Sequence, residues 1–485
     1  MEISLTHDFA DSLPELALPA TAAPAREPRL VVLNTDLATS LGFDVDFLRT
    51  DAGVRFLLGH ALGEEARPVA QVYAGHQFGG FVPRLGDGRA LLLGEVEGPD
   101  GLRDLHLKGS GPTPLSRGGD GLAALGPMLR EFLISEAMHA LSIPTTRSLA
   151  VIATGEEVYR EDGVLPGAVL VRVADSHLRV GSFQYARAAD DLALLSKVTA
   201  YAIARHDPDL LTAPNPALDF YSRVVARQAS LVAKWLSVGF VHGVMNTDNM
   251  TISGETIDYG PCAFLDAYSP AAVFSSIDTG GRYAFGQQPV MAQWNLARLA
   301  ESLLPLFAED EEQAVTLGSA ALEGYVGVFN GAWLREMAAK LGVDAAAEGL
   351  QQLVIDLHGL LEASGVDHTQ FYRALARVAR GEADSPFELV APTDAADADA
   401  VRGWLTRWKG LSPDAAAMDE VNPVHIPRNH LVEEALAAAV AGDLAPYEAL
   451  LSALRAPYTP LAGGERYAEP APAEFTESFA TFCGT

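Results

Sequence analysis

The sequence changes its hydrophobic pattern near residue 185. Between residues 70 and about 180, glycine-rich turns separate short apolar runs that predict strands. These runs are 90–96, 103–109, 147–155 and 167–174, with one helical pattern at 125–141. Beyond residue 185, apolar residues recur at helical spacing. The helical segments are 189–205, 218–238, 291–307, 312–341, 345–363, 368–380 and 431–454. We therefore expect an α+β fold with a small β-rich lobe followed by a larger, mainly helical lobe.

This change of pattern divides the chain into four predicted segments. They are an N-terminal extension (1–70), the β-rich lobe (71–184), the helical lobe (185–454) and a C-terminal tail (455–485). The helical lobe contains one exception, 240–266, whose short apolar pieces between glycines and polar residues predict a β-hairpin.

Charge limits the partners of the chain. Acidic residues outnumber basic ones 63 to 34, which gives a formal net charge of -29. Such a surface repels phosphate backbones and anionic lipids, so we expect no nucleic acid and no membrane among the partners. An anionic ligand needs a local basic pocket. The first residues are acidic where an export signal is basic, and no apolar run approaches the ~20 residues that span a bilayer. We therefore expect a cytoplasmic protein.

Lysine is scarce, with five lysines against 29 arginines, and Lys108 is the first of them. It ends the apolar pattern LHLK and precedes a loop of glycine, serine and proline at 109–121. A lysine offers a compact charge to a phosphate oxygen, and such a loop brings backbone N–H groups close to an anion. A second glycine cluster, Gly86 to Arg89, fits the same role or an ordinary turn. Neither loop matches a Walker A or Rossmann pattern.

Other charged residues are candidate partners of Lys108 or of a phosphate. Glu131 lies on the apolar stripe of the predicted helix 125–141, where a carboxylate needs a partner. A strand lysine paired with a helix glutamate positions the nucleotide phosphates in kinases. Glu136 is placed similarly, and spacing does not separate the two glutamates. Arg172 and Arg179 lie at the end of a predicted strand and just beyond it, where two arginines can clamp a phosphate.

The strongest motif is HGVMNTDN, which begins at His242 and is followed by the triplet DYG at Asp258. A kinase catalytic loop places an asparagine seven residues after its histidine and a metal-binding DFG triplet downstream. Asn249 satisfies the first spacing, but Val244 occupies the position of the kinase base. The base has therefore been lost or has moved to Asp248. Oxygen ligands from Asn249 and Asp258 suit Mg²⁺ or Mn²⁺ better than zinc.

Six longer stretches are more specific than these single motifs. They are YAGHQFGGFVPRLGDGRALLLGE (73–95), LHLKGSGPTPLSRGGDG (105–121), REFLISEAMHALSIPTTRSL (130–149), HGVMNTDNM (242–250), DYGPCAFLD (258–266) and GRYAFGQQP (281–289). Together they closely resemble the SelO (YdiU, selenoprotein O) family. The resemblance implies a protein-kinase-like bilobal fold and a protein adenylyltransferase. Such an enzyme uses Mg²⁺ (or Mn²⁺) and transfers AMP from ATP to Ser, Thr or Tyr hydroxyls of protein substrates, releasing pyrophosphate.

The resemblance also implies roles for the candidate residues. Lys108 contacts the phosphates and pairs with Glu131 rather than with Glu136. Asp248 is the general base, while Asn249 and Asp258 ligate the metal. The other residues line the nucleotide pocket or hold its far phosphate: Gly86, Gly88, Arg89, Asp120, Gly121, Arg172 and Arg179.

Alternative activities stay open from the sequence. They are transfer of UMP from UTP with Mn²⁺, transfer of the γ-phosphate as in a kinase, and nucleotide binding by a non-catalytic pseudokinase. Val244 at the kinase base position counts against the second. The retention of five residues counts against the third: Lys108, Glu131, Asp248, Asn249 and Asp258. Cys262 and Cys483 add the hypothesis of a disulfide that holds the tail over the cleft.

Overall fold

The computed structural model describes residues 5–160, 163–390 and 397–482. Strands β1 to β11 are Ala17–Pro19, Arg29–Leu33, Val69–Gln71, Gly75–Gln77, Gly80–Val82, Ala90–Gly98, Gly101–Lys108, Arg147–Arg160, Gly163–Ala174, Phe240–Val241 and Ala263–Phe264. Helices α1 to α18 are Asp8–Ser12, Thr35–Ser40, Val45–Leu48, Asp51–Leu57, Leu125–Ala140, Val180–Ala188, Leu192–His206, Pro216–Ser237, Gln288–Phe307, Glu311–Leu341, Leu350–Ser364, His368–Ala379, Phe387–Val390, Ala398–Gly410, Ala415–Val421, Asn429–Val440, Ala445–Arg455 and Ala473–Ser478.

An antiparallel sheet occupies the first part of the chain. In the described residues it has seven strands in the order β1-β3-β6-β7-β9-β8-β2. The four strands predicted between residues 90 and 174 are confirmed as β6, β7, β8 and β9. Strand β7 lies between β6 and β9, and its last residue, Lys108, is opposite Ala90 on one side and Leu170 on the other. Lys108 therefore lies at the end of the central strand of the sheet.

Both faces of this sheet are buried, which explains why its strands are apolar at consecutive positions. Leu91 and Leu93 of β6 belong to a core shared with α2, α3 and α4. Leu92, between them, belongs to a larger core that includes α5 and the C-terminal helices α16 and α17. Successive side chains of a strand point to opposite faces, so one apolar run serves two cores.

The segment before residue 70 contributes directly to the sheet. Strand β1 pairs with β3, and β2 pairs with β8, both antiparallel. The helices α2 to α4 cover one face of the sheet. A segment boundary at residue 70 stays a prediction.

Helices dominate the chain after β9. Helices α7 to α10 share the large core with α5, whereas α11, α12, α14 and α15 surround a separate core that contains Trp404 and Trp408. The predicted hairpin within 240–266 is confirmed, because β10 pairs antiparallel with β11. The prediction of one continuous helix over 431–454 is wrong, because the chain turns at Gly442, whose φ is 99°, and forms α16 and α17.

The structure thus combines a sheet-rich first part with a helical second part, in agreement with the predicted α+β class and consistent with two lobes. Among the described helices, none is both long enough and apolar enough to cross a membrane.

Candidate active site

A cavity of about 480 Å³ collects the residues that the sequence singled out. This volume suits a small ligand such as a nucleotide. The predicted residues in its lining are Gly86, Gly88, Arg89, Lys108, Asp120, Gly121, Glu131, Arg172, Arg179, Asp248, Asn249 and Asp258. The lining also includes residues that had not been singled out, among them Gln77, Phe78, Arg117 and Ile277.

Lys108 lies between two carboxylates. Its Nζ is 2.5 Å from Glu131 Oε2 and 2.6 Å from Asp258 Oδ1. Strand β7 supplies the lysine and helix α5 supplies the glutamate. The apolar side chains of α5 around this glutamate pack against the sheet. Lys108 and Glu131 are both buried, so each stabilises the charge of the other in a medium that does not solvate it well.

Two arginines converge on the same aspartate. Arg172 Nη1, from β9, is 2.9 Å from Asp258 Oδ1, and Arg179 Nη1, just before α6, is 3.7 Å from Asp258 Oδ2. Burial alone raises the pKa of Asp258, but the charges of Lys108, Arg172 and Arg179 outweigh burial and hold this pKa well below its ordinary value. The carboxylate is therefore ionised, and the three cations form one cluster with the carboxylates of Asp258 and Glu131. A polyanionic ligand would find these cations already assembled.

Glu136, the competing candidate, lies elsewhere. Its carboxylate accepts hydrogen bonds from Arg147 at 2.7 and 2.8 Å and from the side chain of Asn34 at 2.6 Å. It therefore ties α5 to β8 and to the residue before α2, away from Lys108. The structure places Glu131, and not Glu136, beside the lysine.

Asp248 and Asn249 lie in a single 3₁₀ turn, Thr247–Asn249, on the cavity wall. Burial raises the pKa of Asp248 to about 6, although Arg179 opposes this shift. Gln77 Nε2 donates to Asp248 Oδ2 at 3.4 Å, while the buried Oδ1 has no hydrogen-bond partner among the described residues. Asn249 Nδ2 donates to the carbonyl of Val244, which leaves the amide oxygen of Asn249 for a ligand. Val244 itself is buried and apolar.

Glycine allows the two ends of the loop 109–121 to approach closely. A Cβ at Gly121, where φ is 67°, would lie 2.2 Å from the backbone of Gly111. Any residue other than glycine would therefore push the two ends of this loop apart. Asp120 lines the cavity, but its carboxylate is 2.8 Å from Arg160 Nη1. Asp120 therefore supports the loop through Arg160.

His106 and Asp87 form a buried support that the sequence reasoning missed. Arg172 Nη2 donates to His106 Nδ1 at 3.3 Å, and His106 Nε2 is 3.0 Å from Asp87 Oδ2. A guanidinium can only donate, so Nδ1 is the acceptor and Nε2 carries the proton. Burial lowers the pKa of His106, which agrees with a neutral ring. The available signal was position, since His106 lies two residues before Lys108 and thus on the same face of β7.

Asn249 and Asp258 are the residues available to a divalent metal ion. No group of three or more His, Cys, Asp or Glu suited to a metal occurs in residues 5–160, 163–390 and 397–482. Mg²⁺ commonly binds one or two carboxylates and completes its shell with water and substrate phosphates. Asp248, next to Asn249, is a further carboxylate in the lining of the same cavity. The donor set therefore fits a magnesium ion that arrives with a nucleotide, and it does not fit zinc.

The C-terminal tail returns to the segment that contains Asp258. The hydroxyl of Thr481 donates to the carbonyl of Pro261 at 2.7 Å, and the neighbouring Cys262 is fully buried and has no disulfide partner among the described residues. Cys483 lies outside the described residues, so the hypothesis of a Cys262–Cys483 disulfide stays untested.

Comparison with known proteins agrees with this site. A family model described as "Protein adenylyltransferase SelO" matches residues 1–455. A relative from Pseudarthrobacter chlorophenolicus, named protein nucleotidyltransferase YdiU, is 58% identical over 100% of this chain and 98% of its own. Proteins of the same name from Mycolicibacterium paratuberculosis and Cereibacter sphaeroides are 58% and 52% identical, and the alignments cover 100% of this chain and 98% and 100% of theirs.

Proposed function

The chain belongs to the SelO family and is a nucleotidyltransferase, and we propose that it transfers AMP from ATP to hydroxyl groups of protein substrates. The observation that carries this proposal is the placement of a buried carboxylate, Asp248, in the same cavity as three cations, Lys108, Arg172 and Arg179. The cavity can therefore receive a triphosphate next to a group that can accept a proton.

The proposed fold of this site is that of a protein kinase with two lobes, 71–184 and 185–454. The pairing of Lys108 on a strand with Glu131 on a helix supports it, as does the DYG triplet at Asp258. Val244 in place of the usual base favours a nucleotide orientation different from that in a kinase, with the α-phosphorus near Asp248.

In the proposed reaction, the acceptor oxygen forms a bond to the α-phosphorus. The bond from that phosphorus to the oxygen bridging to the β-phosphate breaks, and pyrophosphate leaves. Asp248 takes the proton of the hydroxyl. A carboxyl with a pKa of about 6 is ionised at neutral pH and more basic than an ordinary aspartate, which suits a general base.

The cationic side chains bind and orient the phosphates in this proposal. Lys108 contacts the phosphates, Arg172 and Arg179 hold the far phosphate, and the two glycine loops, with Gly86, Gly88 and Gly121, let backbone N–H groups approach. Asn249 and Asp258 would hold Mg²⁺, which when bound neutralises the negative charge that develops during transfer. Three cations held in place before ATP binds need little reorganisation during the reaction.

Intact mass measurement tests the proposal. The purified protein is incubated with Mg²⁺ and ATP, and in a parallel sample with Mn²⁺ and UTP, and Asp248→Asn serves as the control. We expect self-modification by adenylyl groups in the wild-type protein and none in the variant. A preferred uridylyl adduct favours UTP as the substrate, while a phosphate adduct alone contradicts nucleotidyl transfer from ATP.

A further inference from the structure

A surface of aromatic side chains and one arginine borders the cavity beside Asp248. We call it the aromatic platform, and it consists of His76, Phe78, Phe81, Arg282, Tyr283 and Trp294. Ring centroids of neighbouring members lie 4.9 Å apart for His76 and Phe81, 5.3 Å for His76 and Trp294, and 5.2 Å for Phe78 and Tyr283. The guanidinium carbon of Arg282 lies 4.7 Å from the centroid of Trp294, which joins the two halves of the platform.

The platform is attached to the turn that carries Asp248. The backbone N–H of His76 donates to Thr247 Oγ1 at 2.7 Å, and that of Phe78 donates to Asn246 Oδ1 at 3.0 Å. The hydroxyl of Tyr283 donates to the same Asn246 oxygen at 2.8 Å. The hairpin β4–β5 and the proposed base therefore keep a fixed relative position.

Large apolar side chains of this region are open to solvent. Phe78 is 39% exposed and Phe81 is 44% exposed, and Ile277, which lines the cavity together with Phe78, is 51% exposed. Phe78 also has a φ of 51°, in the left-handed region that bulky residues rarely adopt. Exposed apolar residues at the entrance of a cavity indicate a surface that contacts a partner.

Arg282 lacks a counter-ion within the described parts of the chain. No carboxylate oxygen there lies within 4.0 Å of its guanidinium, and its buried Nε has no hydrogen-bond partner. Asp278 is close in sequence, but its two oxygens accept the backbone N–H groups of Arg282 and Tyr283 at 2.9 and 2.7 Å. Within the described residues, no carboxylate therefore competes with an acidic side chain of a partner for this guanidinium.

We propose that the aromatic platform is the docking surface for the acceptor segment of the protein substrate, and that it selects a hydroxyl residue flanked by an acidic side chain. This inference rests on the proposed function. The acceptor oxygen must reach Asp248, and the platform is the apolar surface tied to that residue. Aromatic residues and arginine are the types that dominate binding energy at protein interfaces. Charges farther away than about 8 Å are largely screened at physiological salt, so the distant acidic residues of the chain weigh little against an ion pair with Arg282.

Two synthetic peptides test this inference. Each carries one serine within the same apolar sequence, flanked by glutamates in one peptide and by lysines in the other. With Mg²⁺ and ATP labelled on the α-phosphate, we expect the wild-type protein to modify the acidic peptide with a kcat/KM about tenfold or more above that of the basic peptide. Equal labelling of the two peptides, labelling of neither, or preference for the basic peptide overturns the inference.

Variants identify the residue responsible. Arg282→Glu should reverse the preference, and Arg282→Gln, which keeps a planar group over Trp294, should abolish it and provides a second reading if the glutamate variant does not fold. The matched control is Arg335→Glu, an equal change of charge at an exposed arginine of α10, outside the cavity lining. It should keep the wild-type preference. A preference that survives in both Arg282 variants also overturns the inference.

Self-modification in the same samples separates this inference from the proposed function. If the wild-type protein adds AMP to itself but does not discriminate between the peptides, the proposed docking surface is contradicted, whereas the proposed transfer of AMP is not. If AMP enters neither enzyme nor peptide, the proposed function fails, and the inference fails with it.

Discussion

Asp258 holds together the cations of the site, and its removal should produce a specific pattern of instability. Asp258 Oδ1 accepts charged hydrogen bonds from Lys108 at 2.6 Å and from Arg172 at 2.9 Å. Removing one partner of a buried ion pair costs about 3–5 kcal/mol, because the remaining charge stays buried without compensation. Glu131 still neutralises part of the charge, so we expect Asp258→Ala to lose about 3 kcal/mol and several degrees of unfolding temperature.

Nucleotide should restore much of this loss. In the wild-type protein, phosphates compete with the Asp258 carboxylate for Lys108, Arg172 and Arg179. In Asp258→Ala this competitor is gone, so ATP with EDTA should raise the unfolding temperature of the variant more than that of the wild type. AMP transfer with Mg²⁺ should nevertheless be lost in the variant, because a proposed metal ligand is missing.

Glu136→Ala is the matched control for this experiment. It removes a buried carboxylate from the same structure, but one that binds Arg147 and Asn34 instead of the site cations. It should lower the unfolding temperature without enhancing stabilisation by ATP. The reasoning is refuted if Asp258→Ala unfolds at the wild-type temperature, or if ATP stabilises both variants to the same extent.

Three further predictions concern single side chains. Transfer of AMP should slow about tenfold per pH unit below about 6, because the pKa of Asp248 is raised to about 6 and the protonated carboxyl accepts no proton. Asp248→Asn should bind ATP but lose transfer at every pH. A flat wild-type rate profile from pH 5 to 7 contradicts the role of Asp248 as general base. His106→Asn keeps an acceptor for Arg172, whereas His106→Gln keeps only a donor to Asp87. The KM for ATP should therefore rise several-fold more in the glutamine variant. Equal KM values in the two variants argue against positioning of Arg172 by His106. Burial lowers the pKa of Lys340 to about 7, so the buried charge lowers the free energy of unfolding by up to about 5 kcal/mol below pH 7, and this loss shrinks as pH rises toward 10. Lys340→Met should therefore raise the unfolding temperature more at pH 6 than at pH 9. The opposite order contradicts the assignment.

Local sequence patterns predicted much of the fold because the formation of a strand or a helix depends largely on neighbouring residues in the sequence. The short apolar runs of β6 to β9 and the helical periodicity after residue 185 required no distant information. The covering of the sheet by α2 to α4 could not be predicted in this way, because β1 and β2 pair with strands about 50 and 120 positions away. The break at Gly442 had a signal, a glycine within a helical pattern, that the periodicity outweighed.

The site shows the same limit. Spacing placed Glu131 and Glu136 equally near Lys108, and the decisive fact was the partner of Glu136, Arg147, which only the folded chain reveals. His106 was missed because a histidine in an apolar strand carries no motif. Resemblance to a family resolved the glutamate pair before any geometry was available, and the comparisons confirm that family.

The central claim is that the α-phosphorus of ATP, and not the γ-phosphorus, is the centre of reaction. Two samples of the wild-type protein with Mg²⁺ answer it, one with ATP labelled on the α-phosphate and one with ATP labelled on the γ-phosphate, each separated into protein and small molecules. The account predicts that the α-label enters protein and that the γ-label appears in pyrophosphate. Entry of the γ-label into protein, with the α-label left in ADP, would contradict it.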